Sequence, residues 1–435
     1  MNNLICDNLA VDDNGILLFG GRSTVELIKK YGSPMYAMDE VKIRNNMRLY
    51  INAMKKHFGD GAMPLLASKA ASFKQIYRIA AEEGMGTDVV SPGEIYTAHA
   101  AGFPMEKAYF HGNNKTDEDI SFAMDSKVGY FVVDNIEELE AVDKEAGKRG
   151  IVQRILLRLT PGIDPHTYEA VSTGKVDSKF GSAIETGAAE EITVCAINKK
   201  NIRLCGFHCH VGSQVFDSDV YLAAAYIMMG FMADMKRKYS FITEELNLGG
   251  GYGVRYTEND PIIDIAENIK LVAEETKRIA KKLGIDYPLI RMEPGRSIVA
   301  DAGVTLYTVG SVKVIPEYKN YVSVDGGMPD NPRFALYKSA YTVVAANKAG
   351  EKCDFKCTVA GRCCESGDII QENVFLPSSI KKGDIIAVLI TGAYNYSMAS
   401  NYNRIPKLPV VMINGNDDYT AVKRESFEDM TKNDI

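Results

Sequence analysis

Eight short apolar runs, most of them closing on a polar or glycine-rich tail and spaced like the strands of one closed barrel, constrain this chain more than any other feature. LLASK ends at Lys69, TDVVS at Ser91, AYFHG at Gly112, YFVVD at Asp134 and RILLRLT at Thr160. The early strands thus recur about every twenty to twenty-six residues, room for a strand, a helix and two loops. Three later tails complete the count: GFHCHVGSQ (206–214), LNLGGGYG (246–253) and RMEPGRS (291–297). Intervening stretches such as SFKQIYRIAAEEG and NIEELEAVDKEAGKRG carry apolar residues at helical spacing and stop at a glycine. The alternation predicts an α/β chain built on a (β/α)8 barrel. One gap is wider, with an extra polar loop, STGKVDSKFG (172–181), ahead of its helix.

From about Thr305 the texture changes. VTLYTVGSVKVI, NYVSVDGG, CDFKCTVAG, DIIAVLITGAY and PVVMING are short β-branched and aromatic runs separated by Gly, Asn, Asp or Pro. They predict an all-β domain. GILLFGG, ahead of the helix-like STVELIKKYG, is placed as an added strand of it. The expected division is a barrel over residues 36–302, with residues 1–35 and 303–435 forming the β domain. Internal repeats and low-complexity linkers are not evident.

A chain of 435 residues exceeds one barrel of about 250 residues, which is why a second domain is expected. A net charge of -7 provides no basic face for nucleic acid. No apolar run approaches the roughly twenty residues that span a bilayer, and MNNLICDNLAVDD lacks the basic start and apolar core of a secretion signal. A cytoplasmic location is expected, with no membrane partner. The eight cysteines are scattered, as suits a reducing compartment. Cys353 and Cys357 have no second pair at zinc-ligand spacing, so no metal is expected there.

The tails carry the chemistry. In a (β/α)8 barrel the loops after strands seven and eight commonly grip a phosphate, and here those loops hold Gly249, Gly250 and Gly251 and the pair Gly295-Arg296. A glycine triplet lets backbone amides approach a phosphate, although it also serves as a plain flexible loop. Lys69 stands at a strand end, where a desolvated amine near other cations would be a nucleophile towards a carbonyl cofactor. The bland alternative is a surface lysine opening a helix. Glu293 of EPGRS could keep a pyridine nitrogen protonated, and a tight turn with a surface ion pair is the alternative. In HCHVGSQ, His208 and His210 alternate on one strand. Zinc would need a third ligand, which is not apparent. A flat imidazole against a cofactor ring explains the pattern, with His210 as the stacking residue, Ser213 near the phosphate and His208 a hydrogen-bonded barrel residue.

LLASKA, TDVVSPGE, HGNNKT, HCHVGSQ, GGGYG, EPGRS, VDGGMPDNPRFALY, GRCCESGD and GAYNYSMASNYN occur in this order. In that order they resemble the motifs of the diaminopimelate decarboxylases, which are fold-type III pyridoxal phosphate enzymes. The resemblance runs from about Ser33 to Gly415. It implies an alanine-racemase-like barrel with a C-terminal β domain, pyridoxal 5'-phosphate as cofactor, and decarboxylation of meso-2,6-diaminopimelate to L-lysine and carbon dioxide, the last step of lysine biosynthesis.

Carried over by position, the resemblance implies catalytic roles for Lys69, Glu293 and Cys364. Lys69 would hold the cofactor through its amine, Glu293 would pair with the pyridine nitrogen, and Cys364 would return the proton. His210 would stack on the ring. Ser213, Gly249, Gly250, Gly251, Pro294, Gly295, Arg296 and Tyr394 would complete the cofactor site, and Arg296, Arg333, Tyr337, Glu365 and Tyr394 would bind substrate. Cys364 and Glu365 would enter from a partner subunit, making the active unit a homodimer with shared sites. The fit to the substrate is physical: two arginines can fork onto the distal carboxylate while a glutamate pairs with the distal amine.

The departures are small. Phe334 stands where many relatives have proline, LLASKAAS differs around the lysine, and Pro329 interrupts the DGGM-x-D stretch. Ornithine, arginine and carboxynorspermidine decarboxylases on the same scaffold are the alternative reading. A diamine substrate has no distal carboxylate and so no use for Arg333. A non-catalytic cofactor-binding homologue would have lost the lysine or the thiol, and this chain keeps both.

Overall fold

The computed structural model describes residues 4–163 and 178–435. The chain forms two compact units, one comprising residues 47–253 and 262–295, the other residues 1–46, 254–261 and 296–435.

The first unit is the barrel. Its strands are Met63–Ala67, Gly86–Val89, Ala108–Phe110, Tyr130–Val133, Gln153–Thr160, Ile202–His208, Glu245–Asn247 and Leu289–Met292. All neighbours pair in parallel, and Leu289–Met292 closes onto Met63–Ala67 through Arg291↔Met63. The strands are almost wholly buried, as a parallel sheet covered by helices requires. Leu65, Tyr109, Val132, Leu156 and Cys205, from five of the strands, form one apolar cluster. A charged set is built in beside it. Tyr109 Oη donates to Glu245 Oε1 at 2.7 Å, Arg291 reaches Glu245 at 3.0 Å, and the rings of Tyr109 and Tyr130 stack 4.3 Å apart. Buried charges persist because each has its partner.

The helices begin and stop where the side chains demand. Asn135 caps Ile136–Arg149 by accepting from Glu138 N at 2.8 Å, and Gly150, at φ 63°, ends it. Lys74–Glu83 ends in the same way at Gly84, φ 85°. Of the polar loop 172–181, residues 172–177 lie outside the described residues.

The second unit is built on a mixed sheet. Its path runs Ile369–Pro377, Cys353–Ala360, Lys319–Val324, Gly303–Ile315, Met35–Asp39, Val410–Asn414 and Asp417–Val422. Ile385–Leu389 pairs with Gly303–Ile315 off this path, and Val343–Ala345 pairs with Ile385–Leu389. Met35–Asp39, all but its first residue placed in the barrel by the sequence division, is a fully buried central strand here, antiparallel to Gly303–Ile315 and parallel to Val410–Asn414. Leu17–Phe19 of GILLFGG does not join this sheet. It pairs with Leu9–Val11 and Arg22–Ser23 in a separate three-stranded sheet of the same unit. No helix among the described residues is long and apolar enough to cross a membrane.

Candidate active site

In the barrel unit the chemistry gathers around Glu293, just beyond the eighth strand and 6 % exposed. Asn247 Nδ2 donates to its Oε1 at 2.7 Å, His208 Nε2 lies 3.1 Å from Oε2, and His111 Nε2 lies 2.9 Å from Oε1. Burial by itself would push this carboxyl up. His111 and His208 outweigh it and hold Glu293 well below the usual carboxylate range. Burial also pushes His208 down to about 4, so near neutral pH it is an uncharged imidazole giving its one N–H to an anion. His208 Nδ1 is left buried with no partner.

His208 does have companions of ligand type, but they are His111 and Glu293, not His210, with one ligand atom from each within 4.8 Å of the others. His208 and His210 part company because the strand ends at His208. His210 turns to the glycine loop, where Gly250 N donates to its Nδ1 at 3.3 Å. Burial, followed by the nearby charges of Lys69 and Arg158, holds His210 well below its ordinary value and hence neutral.

The glycine triplet has a packing reason that sequence alone does not show. A Cβ on Gly249 would stand 2.5 Å from Cys209 O, one on Gly250 2.0 Å from Glu293 O, and one on Gly251 2.4 Å from Gly212 O. Gly249 and Gly251 also take φ of 71° and 115°. The triplet thus brings the seventh loop against the backbones of both the histidine loop and Glu293. Pro294 O accepts from Ala67 N at 3.0 Å, and a Cβ on Gly295 would lie 2.8 Å from that of Ala67. Ser213 is half-buried in the same histidine loop.

Lys69 sits on the 3-10 turn Ser68–Ala70 directly after the first strand. The residue is exposed, the strand ending at Ala67, and its charge acts on buried His210 and Asp88. Two carboxyls that residue type alone does not single out flank this region, Asp88 buried and Glu94 half-buried. Asp88, at the end of the second strand, keeps Oδ1 without a partner, and burial pushes its carboxyl up against the pull of His111. Burial likewise pushes Glu94 up to about 7, although it accepts from Ser68 Oγ and Val90 N, each at 2.8 Å. The available signal was an acidic residue inside an apolar barrel run, TDVV.

The β unit assembles the other predicted residues. Arg296 and Arg333 are 7 % and 8 % exposed, and their guanidinium carbons lie 4.8 Å and 5.0 Å from the centre of the Tyr394 ring. Arg333 also lies 5.3 Å from the Tyr337 ring. Arg296 donates to Tyr256 Oη at 2.7 Å, a tyrosine from the 254–261 segment that the sequence reading missed. Arg333 Nε has no partner, and among the described residues no carboxylate pairs with this guanidinium. Cys364 and Glu365 are exposed. Cys364 N donates to Asn403 Oδ1 at 2.8 Å, and Tyr402 Oη lies 3.3 Å from Glu365 Oε2.

These residues suit pyridoxal phosphate. Glu293 is a fixed anion for a ring nitrogen, His210 is a flat neutral ring, Lys69 is an accessible amine, and buried polar atoms on Asp88 and His208 await partners.

Comparison with known proteins agrees. The family described as "Pyridoxal-dependent decarboxylase, pyridoxal binding domain" matches residues 43–300. The chain is 44 % identical to a diaminopimelate decarboxylase of Bacillus subtilis over 98 % of its own length and 96 % of the relative's. It is 42 % identical to that of Staphylococcus aureus over 97 % and 98 %. A solved diaminopimelate decarboxylase from M. jannaschii, in complex with L-lysine, superposes with a TM-score of 0.89 at 31 % identity, covering 99 % of this chain and 98 % of the other. By its barrel, its site residues and these relatives, the chain belongs to the diaminopimelate decarboxylase family of pyridoxal-dependent decarboxylases.

Proposed function

We propose that this protein removes carbon dioxide from meso-2,6-diaminopimelate to give L-lysine, using pyridoxal phosphate, as the closing step of lysine formation. The observation that carries the substrate is the buried pair Arg296 and Arg333, both against the Tyr394 ring, with no carboxylate paired to Arg333 among the described residues. A buried guanidinium without an anion is costly, and a substrate carboxylate relieves that cost. A lone diamine would leave it unrelieved.

Pyridoxal phosphate, when bound, would supply an electron sink for decarboxylation. The chain's residues do the rest. Lys69 would hold the cofactor through its amine. Glu293, an anion, would face the ring nitrogen and keep it protonated, and His210 would cover the ring face. Ser213, the backbone of Gly249 to Gly251, Pro294 and Gly295, together with Arg296 and Tyr394, take the phosphate end. Arg296 and Arg333, with Tyr337 and Tyr394, orient the distal carboxylate, and Glu365 pairs with the distal amine. Cys364 delivers a proton to Cα, as a positioned thiol can. Cys364 and Glu365 come from the second chain of a homodimer, and the enzyme works in the cytoplasm.

The test is parallel assay of the purified, cofactor-loaded protein with meso-diaminopimelate, ornithine, arginine and carboxynorspermidine. Release of carbon dioxide and lysine from the first alone is expected. Faster turnover of ornithine or arginine would overturn the substrate.

Two variants separate the roles. Arg333→Ala is expected to raise KM for diaminopimelate by about tenfold to a hundredfold, since losing a forked contact to a carboxylate costs about 1.5 to 3 kcal/mol. An equal loss with a substrate lacking the distal carboxylate would remove Arg333 from specificity. Glu293→Gln is expected to keep the cofactor yet lower kcat by roughly a hundredfold, the scale of losing one preorganised charge. The amide nitrogen would also face donors, Asn247 on one side and His208 on the other. An unchanged kcat, measured by carbon dioxide release, would give the ring nitrogen another partner.

A further inference from the structure

Asp368 closes the GRCCESGD motif, and none of the roles above uses it. It is 3 % exposed, and each of its carboxylate oxygens accepts a different loop's backbone: Oδ1 from Met328 N at 2.6 Å, Oδ2 from Cys363 N at 2.7 Å. Two N–H donors, one on each oxygen, define an acceptor-only carboxylate. The surroundings are shaped for this group and no larger one. A Cβ on Gly327 would stand 2.6 Å from Oδ1, and one on Gly361 would stand 2.2 Å from Oδ2.

The two loops it joins are the ones that matter. Lys319–Val324 and Cys353–Ala360 run parallel, with Ser323 opposite Ala360, so both chains leave the sheet at the same end. The first continues through Met328 to Arg333, and the second carries Cys364 and Glu365. Parallel strands hold each other only as far as the ladder extends. Beyond it, Arg362 N donates to Gly326 O at 2.9 Å and Gly361 N to Asp368 O at 2.9 Å, and the Asp368 carboxylate spans the remainder. The far side of the first loop is pinned separately. Asp330 Oδ2 accepts from Gly327 N at 3.0 Å, while its Oδ1 accepts from Tyr307 Oη.

We infer that Asp368 is a positioning residue that fixes, through one carboxylate, both the loop presenting Cys364 and Glu365 and the loop leading to Arg333. The inference rests on the roles proposed for those three residues. If Cys364 and Glu365 serve a partner's site while Arg333 serves its own, Asp368 also ties the geometry of one site to that of the other.

The test uses the cofactor-loaded enzyme carrying Asp368→Asn, which must turn one amide hydrogen against a backbone N–H. Asp384→Asn is the control. Asp384 also clamps backbone in the β unit, accepting from Lys381 N at 2.7 Å and Lys348 Nζ at 2.7 Å, but at a different turn. Both variants are expected to lower Tm. Asp368→Asn alone is expected to cut kcat by roughly a hundredfold, the scale of misplacing a reacting group by about 1 Å, and to raise KM. It is also expected to change several-fold the rate at which iodoacetamide alkylates Cys364, followed by peptide mass, while the visible band of the cofactor stays. Gly327→Ala, which presses a methyl group onto Oδ1 with Asp368 still present, should give the same pattern if Asp368→Asn fails to fold. A folded variant with lowered Tm but wild-type kcat, KM and alkylation would overturn the inference. If even the wild type leaves diaminopimelate untouched, the substrate reading fails, and the alkylation rates still decide on Asp368.

Discussion

Lys69→Ala is expected to lose both the visible absorbance of the cofactor-loaded protein and its turnover, the latter by at least about a thousandfold, as befits removal of a covalent participant. Lys115 cannot replace it, because its Nζ is spent on Gly112 O, Val132 O and Glu138 Oε1 at 2.9, 2.9 and 2.7 Å. Lys69, by contrast, is exposed on its turn, where a carbonyl carbon can reach it. Borohydride should bleach the wild-type band and leave the variant unchanged, since the variant has no band to bleach. A Lys69→Ala protein that kept its colour and its turnover would show that another amine carries the cofactor.

The barrel was readable because a parallel strand buried on both faces must be a short apolar run, and each run ends where polar residues become tolerable. QRILLRLT at Gln153–Thr160 and IRLCGFH at Ile202–His208 follow this rule closely. Met35–Asp39 escaped because MYAMD is just such a run, and nothing local distinguishes a strand of the first barrel kind from one at the centre of another sheet. Its assignment is made by partners far away in the sequence, Gly303–Leu306 and Val410–Ile413. Ile369–Pro377 was passed over for a different reason: its QEN centre breaks the apolar run, and the strand is held by pairing with Cys353–Ala360.

The site shows the same division. Glycine-rich tails and the lysine announced themselves through residue type. His111 of HGNNKT does not, because its significance is its 2.9 Å approach to Glu293 and periodicity contains no such information. Tyr256 is harder still, being drawn from a segment between two barrel strands yet bonded to Arg296. Asp368 lies within a recognised motif, but the reason for the residue is the two backbone N–H groups it faces, which only the fold brings together.

The shared-site reading makes the most demanding prediction. Chains carrying Lys69→Ala and chains carrying Cys364→Ala are each expected to be nearly inactive, and co-expression of the two is expected to restore activity. If every site takes its lysine from one chain and its thiol from the other, a heterodimer holds one site with both defects and one with neither. In a closed two-fold dimer formed at random from equal amounts, half the molecules are heterodimers, so roughly a quarter of wild-type sites should return. Two different affinity tags isolate the heterodimer, and there half the wild-type activity per dimer is expected. On their own chain Cys364 and Glu365 are exposed, with Cys364 N bonded to Asn403 and Glu365 beside Tyr402. A correctly folded, purified heterodimer with no activity would mean that each chain completes its own site, and the assignment of Cys364 and Glu365 to a partner would fall with it.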